Sequence, residues 1–224
     1  MLPGFRVVQG HQRSAPDLVR SFSEVATALI SDNLNRMVAG GARLRPLHGA
    51  GRLAGTAFTV KTRPGDNLMV HKAIDIAEPG DVIVVDGGGD LTNALIGELM
   101  VTHARSRGIV GFVVDAAVRD IDFISKGGFP VYAAGISHRG PYKDGPGEIN
   151  VPIALDGMVV EPGDIVIGDG DGVVSIPRLH AAEILAAAQA QQAREQDILA
   201  AIAGEGWDRA WVDATLRAKG CGGV

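Results

Sequence analysis

Apolar residues recur at helical spacing through residues 17–37. Leu18, Phe22, Val25, Ala26, Leu29 and Ile30 share a face, Asp17 stands near the start, and Gly40-Gly41 lie beyond the end. That pattern predicts a helix opened by an acid and stopped by glycines. Over residues 53–62 Ala57, Thr59, Val60 and Thr62 favour extended backbone, so a strand is expected. Arg63-Pro64-Gly65-Asp66 reads as a turn, with Asp66 placed to accept a free amide of a helix over 67–76. A short repeat follows: Glu78-Pro79-Gly80-Asp81-Val82-Ile83-Val84-Val85-Asp86 returns as Glu161-Pro162-Gly163-Asp164-Ile165-Val166-Ile167-Gly168-Asp169. Pro then Gly suits a type II turn, and each turn launches an apolar run that reads as a strand buried on both faces. The match is too short for a duplicated domain; it is one structural device used twice.

Further strands are expected at 109–114, 130–134, 151–155 and 172–176, and a helical run at 92–105 is interrupted by Gly97. A long alanine-rich helix is expected over 179–203, ending near Gly204, with Arg194, Glu195 and Asp197 facing solvent. Strands and helices do not alternate strictly. An α/β fold with a mixed sheet, or two stacked sheets, flanked by helices therefore fits better than a doubly wound sheet. No linker composition appears, so residues 1–224 read as one domain with a C-terminal helix and tail from about 179.

Composition narrows the function. Aromatic residues make up only 4% while glycines number 31, so the core must be aliphatic and the turns tight. A formal charge of −5 lacks the basic footprint of a nucleic-acid binder. No apolar run reaches membrane-span length, and residues 1–20 carry no secretory apolar stretch, so no membrane partner is expected. Cys221 stands alone, which makes a reducing, cytoplasmic setting the expectation.

The candidate chemistry lies at Glu98 and, after twenty intervening residues, Arg119-Asp120. One helix, a return loop and a strand fill that interval and would bring both acids and the guanidinium to neighbouring loop ends. Two acids suit a hard divalent cation, and Arg pairs with carboxylate or enolate oxygens in a fork. A surface acid plus an Arg–Asp pair capping the next helix fits the same spacing. Gly97 inside a helix costs about 1 kcal/mol relative to Ala. That cost is avoided if the helix begins there, with the amides of Gly97, Glu98, Leu99 and Met100 presented to an anion; close packing against a strand is the alternative. Asp115 and Asp122 are nearby acids better suited to surface or capping roles.

The histidines (His11, His48, His71, His103, His138, His180) show no zinc spacing, which favours an oxygen-ligated Mg²⁺ or Mn²⁺. His71 and His103 read as helix-packing residues. Lys61, Lys72, Lys126 and Lys143 are not visibly poised for Schiff-base chemistry. Gly87-Gly88-Gly89 lacks the further spacing of a dinucleotide loop.

Taken in order, Asp32-Asn33, Gly65-Asp66-Asn67, Pro79-Gly80-Asp81, Gly97-Glu98-Leu99, Val118-Arg119-Asp120, Pro162-Gly163-Asp164 and Asp171-Gly172-Val173-Val174 resemble the RraA-like family. Within it they resemble the class II pyruvate aldolases acting on 4-hydroxy-4-methyl-2-oxoglutarate and 4-carboxy-4-hydroxy-2-oxoadipate. The resemblance implies a swivelling α/β/β/α sandwich of the phosphohistidine-domain type, assembled as a homotrimer or homohexamer. It further implies that the amides of Gly97 to Met100 and the Arg119 side chain hold the pyruvyl end of a 2-oxo acid. Asp120 would bind the divalent metal and Glu98 would act on it through a water. Glu195 from an adjacent subunit would stand near the same ion. The family's usual acid at position 98 is Asp, and Glu keeps its charge on a longer stem. Retro-aldol cleavage to pyruvate plus a 2-oxo acid, with oxaloacetate decarboxylation alongside, is the implied activity. The family's regulator branch, which inhibits an RNA-degrading endonuclease by protein contact, lacks this acid and is the rival. A methyltransferase reading finds no glycine-rich nucleotide loop here.

Overall fold

The computed structural model describes residues 3–10, 12–37, 40, 42–204 and 206–224, so His11 and Gly41 lie outside the described residues. Two compact units emerge, Met1–Ala188 and Gln189–Val224. In chain order the first carries β1 (Phe5–Val7), α1 (Pro16–Phe22), α2 (Thr27–Asn33), β2 (Arg45–Pro46), β3 (Leu53–Thr62), α3 (Leu68–Ile76) and β4 (Asp81–Asp86). There follow β5 (Ala94–Ile96), α4 (Glu98–Ser106), β6 (Gly111–Val118), α5 (Ile121–Ile124), β7 (Val131–Ile136) and β8 (Gly147–Ile149). The last strands are β9 (Ile153–Leu155), β10 (Met158–Val160), β11 (Ile165–Asp169) and β12 (Gly172–Ile176), leading into α6 (Ala181–Ala203). The second unit consists of the distal part of α6 and α7 (Ala210–Ala218).

The long strand β3 joins the two layers of one ten-stranded mixed sheet. Its first residues pair antiparallel with β11, from Leu53↔Gly168 to Thr56↔Ile165. From Thr56 onward it pairs in parallel with β4, and β6 and β7 extend that parallel run. Period-two alternation sorts the side chains into three cores. Ile83, Val85, Phe112 and Val114 face α3 and α4 residues such as Ile74 and Ala104. Val82, Val84 and Val113 point the other way and meet Met158, Val166 and Val173. Ile165, Ile167 and Val174 then face Phe22, Ile30 and Ile184. The layers therefore run helix, sheet, sheet, helix, with the mixed sheet between the helices. Among the described residues no helix is long and apolar enough to cross a membrane.

The repeated Pro-Gly-Asp turns match in detail. Gly80 and Gly163 take φ of 87° and 92°. Asp81 accepts the Glu78 N–H at 2.8 Å, and Asp164 accepts the Glu161 N–H at 3.0 Å. Each buried acid thus closes the turn that launches its strand.

Three expectations change. The helix over 17–37 is two helices, because Asp169 at the end of β11 caps Thr27 through its N–H (2.9 Å) and Oγ1 (2.7 Å), restarting the helix. Burial pushes the Asp169 carboxyl upward, but these bonds from Thr27, one from Asp171 and the nearby Arg52 outweigh it and hold it below its usual value. Residues 94–96 are strand, since they pair with the far end of β6. The strand expected at 109–114 runs instead from Gly111 to Val118, every residue buried between β4 and its other neighbours.

Asp66, fully buried, fixes the end of the fold that matters most. It accepts the Leu68 N–H at 2.9 Å, starting α3, and the Asp144 and Gly145 N–H groups at 2.7 and 2.9 Å, holding the 141–146 segment beside that helix. Charged acceptors make stronger hydrogen bonds than neutral ones. Asp66→Ala should therefore lower stability by roughly 2–4 kcal/mol in urea unfolding, with Asp66→Asn losing less. A loss under about 1 kcal/mol for the alanine variant would show that this anchor is dispensable.

Candidate active site

Because β6 runs to Val118, Arg119 and Asp120 emerge directly from its buried end with no loop between. Asp120 takes a left-handed backbone, φ 59° and ψ 42°, which Asp tolerates better than most residues. That turn sends its carboxylate back to the start of α4. There Asp120 Oδ2 accepts the Glu98 N–H at 2.9 Å, 22 residues away in sequence. Gly97 has extended backbone (φ −157°), so its lack of a side chain serves space. A Cβ there would fall on the Asp120 carboxylate and press on Arg119 Cγ. The helix start and the close packing expected as alternatives are both present. Arg119 Nε lies 3.8 Å from Asp120 Oδ2, with both side chains partly exposed.

These residues line a cavity of about 240 Å³ that gathers Gly97, Glu98, Leu99, Met100, Arg119 and Asp120. The amides are less free than expected. Glu98 N–H is taken by Asp120, and Met100 N–H turns to the Gly97 carbonyl at 3.1 Å. The N–H groups of Gly97 and Leu99 have no hydrogen bond among the described residues. Asp122 lines an adjoining cleft with Phe123, Lys126 and His138. Asp115 is outside the cavity: it is buried and paired with Arg43 at 2.7 Å. Burial pushes its carboxyl above the usual range, with Arg43 opposing. Glu195 belongs to the second unit, where its carboxylate accepts from Gln191 Nε2 at 3.0 Å.

The rest of the lining went unread in the sequence. It brings Asn67 and His71 from the start of α3 together with Pro141 and Lys143. Asn67 and His71 are four apart, so they share a helix face, and that spacing could have signalled them. Asn67 Nδ2 donates to the Leu95 carbonyl at 2.8 Å, tying α3 to β5. His71 is half-buried and also lines the cavity, while His103 is exposed. Burial, then the nearby Lys143 charge, pushes the His71 imidazole below its ordinary value, against the pull of Asp75. Lys143 has no ion pair among the described residues.

Among the described residues no cluster of three or more His, Cys, Asp or Glu side chains is placed to enclose an ion. Mg²⁺ does not need one, since it keeps several waters and takes one or two carboxylates plus substrate oxygens. Asp120, with Oδ2 fixed by the Glu98 amide and its other oxygen without a hydrogen bond among the described residues, together with the exposed Glu98 carboxylate, gives an all-oxygen donor set of that kind.

The family model described as RraA-like, Aldolase/RraA, matches residues 27–175. A curated relative from Halalkalibacterium halodurans, provisionally named 4-hydroxy-4-methyl-2-oxoglutarate aldolase, is 39% identical over 80% of this chain and 86% of its own. An uncharacterized protein from Pseudomonas syringae pv. tomato superposes with a TM-score of 0.77 at 29% identity, covering 87% of this chain and 96% of that one. The RNA-processing inhibitor RraA from Thermus thermophilis gives 0.63 at 32% identity, covering 68% and 92%.

The imidazole of His71 should titrate below 6.5 when followed by NMR of the ring protons. Lys143→Met should move its midpoint upward. A midpoint at or above the free-imidazole value would contradict the buried, cation-facing position.

Proposed function

The chain belongs to the RraA-like family, and on that premise we propose that it cleaves 4-hydroxy-2-oxo diacids by a divalent-metal-dependent retro-aldol reaction, giving pyruvate and a second 2-oxo acid. The observation that carries this reading is the meeting of Glu98, Arg119 and Asp120 in one cavity beside the amides of Gly97 and Leu99. The name given to the Halalkalibacterium halodurans relative supports it. 4-Hydroxy-4-methyl-2-oxoglutarate and 4-carboxy-4-hydroxy-2-oxoadipate both present the required pyruvyl end.

Asp120 would hold the cation, Mg²⁺ or Mn²⁺, with Glu98 acting on it through a water, and the bound ion would polarise the 2-oxo group as a Lewis acid. Arg119 pairs with the substrate's carboxylate and 2-oxo oxygens, and the Gly97 and Leu99 N–H groups orient the same end. Glu98 accepts the C4 hydroxyl proton, directly or across one water. As that proton leaves, the electron pair of the O–H bond forms the new C4=O π bond, the C3–C4 bond breaks, and its electron pair passes into the pyruvate enolate. The guanidinium of Arg119 is fixed where this charge grows, so it favours the transition state over the ground state. Returning the proton to C3 completes pyruvate. Oxaloacetate decarboxylation passes through the same enolate and is proposed as a side activity. A homotrimer or homohexamer would let Glu195 of a neighbouring copy approach the cation.

The likeness to the Thermus thermophilis inhibitor favours a second reading, a protein-binding regulator of RNA processing. A binding surface alone has no need of the paired acids. Pyruvate release from oxaloacetate and 4-hydroxy-4-methyl-2-oxoglutarate, coupled to NADH oxidation, separates the two. Release should require Mg²⁺ or Mn²⁺, stop with EDTA, and fall at least ~100-fold in Arg119→Ala. Wild-type protein that releases no pyruvate with either metal, or an alanine variant at full rate, would overturn the aldolase reading.

A further inference from the structure

We propose that a separate cavity, between α1 and the first Pro-Gly-Asp turn, binds a small organic anion: a carboxylate carried on an apolar body. The site does not depend on the aldolase reading. Its volume is about 370 Å³, within the range of small-molecule sites. It lies at the far end of the parallel strands from Arg119. Thr56, in its wall, pairs with Asp81 at the start of β4, whereas Arg119 follows the end of β6.

The lining selects by charge and by polarity. Arg13 and Arg20 are the only charged side chains in it among the described residues, and Pro16, Val19, Ala54 and Pro79 make apolar wall. The hydroxyls of Ser14, Ser23 and Thr56 complete the polar part. Ser14 is only 8% exposed, and its Oγ is buried with no hydrogen-bond partner. A buried hydroxyl left unsatisfied is costly, so it calls for a partner from outside the fold. Arg13 is partly engaged: Nη1 meets Asp81 and Glu78 at 2.8 and 3.1 Å, and Nη2 donates to the Pro79 carbonyl at 2.9 Å. A guanidinium has five N–H groups, and those contacts leave two of them. Arg20 pairs with Asp17 at 3.3 Å, both side chains well exposed. Such a surface pair is weak, so Arg20 can turn to an anion instead. Two cations and three hydroxyls with no acid among them favour negative charge. The apolar wall disfavours a bare inorganic ion, whose hydration it cannot replace.

The twin of this turn shows that the opening is specific to one copy. At the second Pro-Gly-Asp turn a Cβ on Gly163 would collide with the Gln12 carbonyl, and Asp164 accepts the Arg178 N–H at 3.1 Å. Backbone therefore packs directly on that turn. At the first turn a Cβ on Gly80 would meet only Arg13 Nη2, at 3.4 Å. The same device is covered by main chain in one place and by an arginine beside a cavity in the other.

Titration of benzoate into the full chain, followed by calorimetry and by amide NMR shifts, tests the site. Benzyl alcohol keeps the body without the charge, and inorganic phosphate keeps the charge without the body. Benzoate should bind with a Kd below about 1 mM and shift the amides of residues 13–23 and 54–56. It should bind at least ~10-fold more tightly than either counterpart. Arg20→Met should weaken binding at least ~3-fold, and Val19→Trp, which fills the cavity, should abolish it. Arg119→Ala should leave it within about 2-fold, since that arginine lines the other cavity. No benzoate binding, equal binding of benzyl alcohol or phosphate, or an affinity unchanged in Arg20→Met would overturn the proposal. So would loss of binding in Arg119→Ala, which would put the anion in the active-site cavity.

Discussion

The pocket depends on one close approach, the carboxylate of Asp120 lying where Gly97 has no side chain. A left-handed backbone costs a non-glycine residue roughly 1–2 kcal/mol, and Asp120 adopts it at φ 59°. The charge-assisted bond from the Glu98 amide offsets that cost. The interlock joins the end of a buried strand to the start of a helix, so Arg119, Asp120 and Glu98 have little freedom to drift apart. Any side chain at position 97 would push the acid out.

Rigidity behind this contact comes from β6. All eight of its residues are buried, with β4 and then β5 along one edge and β7 along the other. Functional side chains at the end of such a strand are held by the sheet, which catalysis by positioning requires. The rest of the lining depends on a different device, the Asp66 carboxylate, which joins α3 to a segment nearly eighty residues away. Two acids, Asp66 buried and Asp120 partly exposed, each satisfying backbone amides, thus set the lining of the cavity.

Much of this was legible in the sequence where the signal is local. The strand Leu53–Thr62 has the expected bounds, and both Pro-Gly-Asp turns form with their acids bonded alike. The Glu98 to Arg119 spacing translates into one cavity because a single helix and strand span it. What escaped is long-range. Thr27 restarts a helix because Asp169 caps it from another layer, and no periodicity in residues 17–37 records that. Residues 94–96 become strand only because β6 overruns its neighbour β4. His71 and Lys143 look unremarkable until the contacts of Asp66 bring them together, although the four-residue step from Asn67 to His71 was there to be read.

The central claim is that a divalent cation and the pyruvyl end of a substrate share the space bounded by Asp120, Glu98 and Arg119. A crystal structure grown with Mg²⁺ and oxalate, a mimic of pyruvate enolate, tests it most directly. The account predicts Mg²⁺ on the Asp120 carboxylate and oxalate against the Arg119 guanidinium and the Gly97 and Leu99 amides. Oxalate in that cavity with no ion beside Asp120, or both bound elsewhere on the protein, would contradict it.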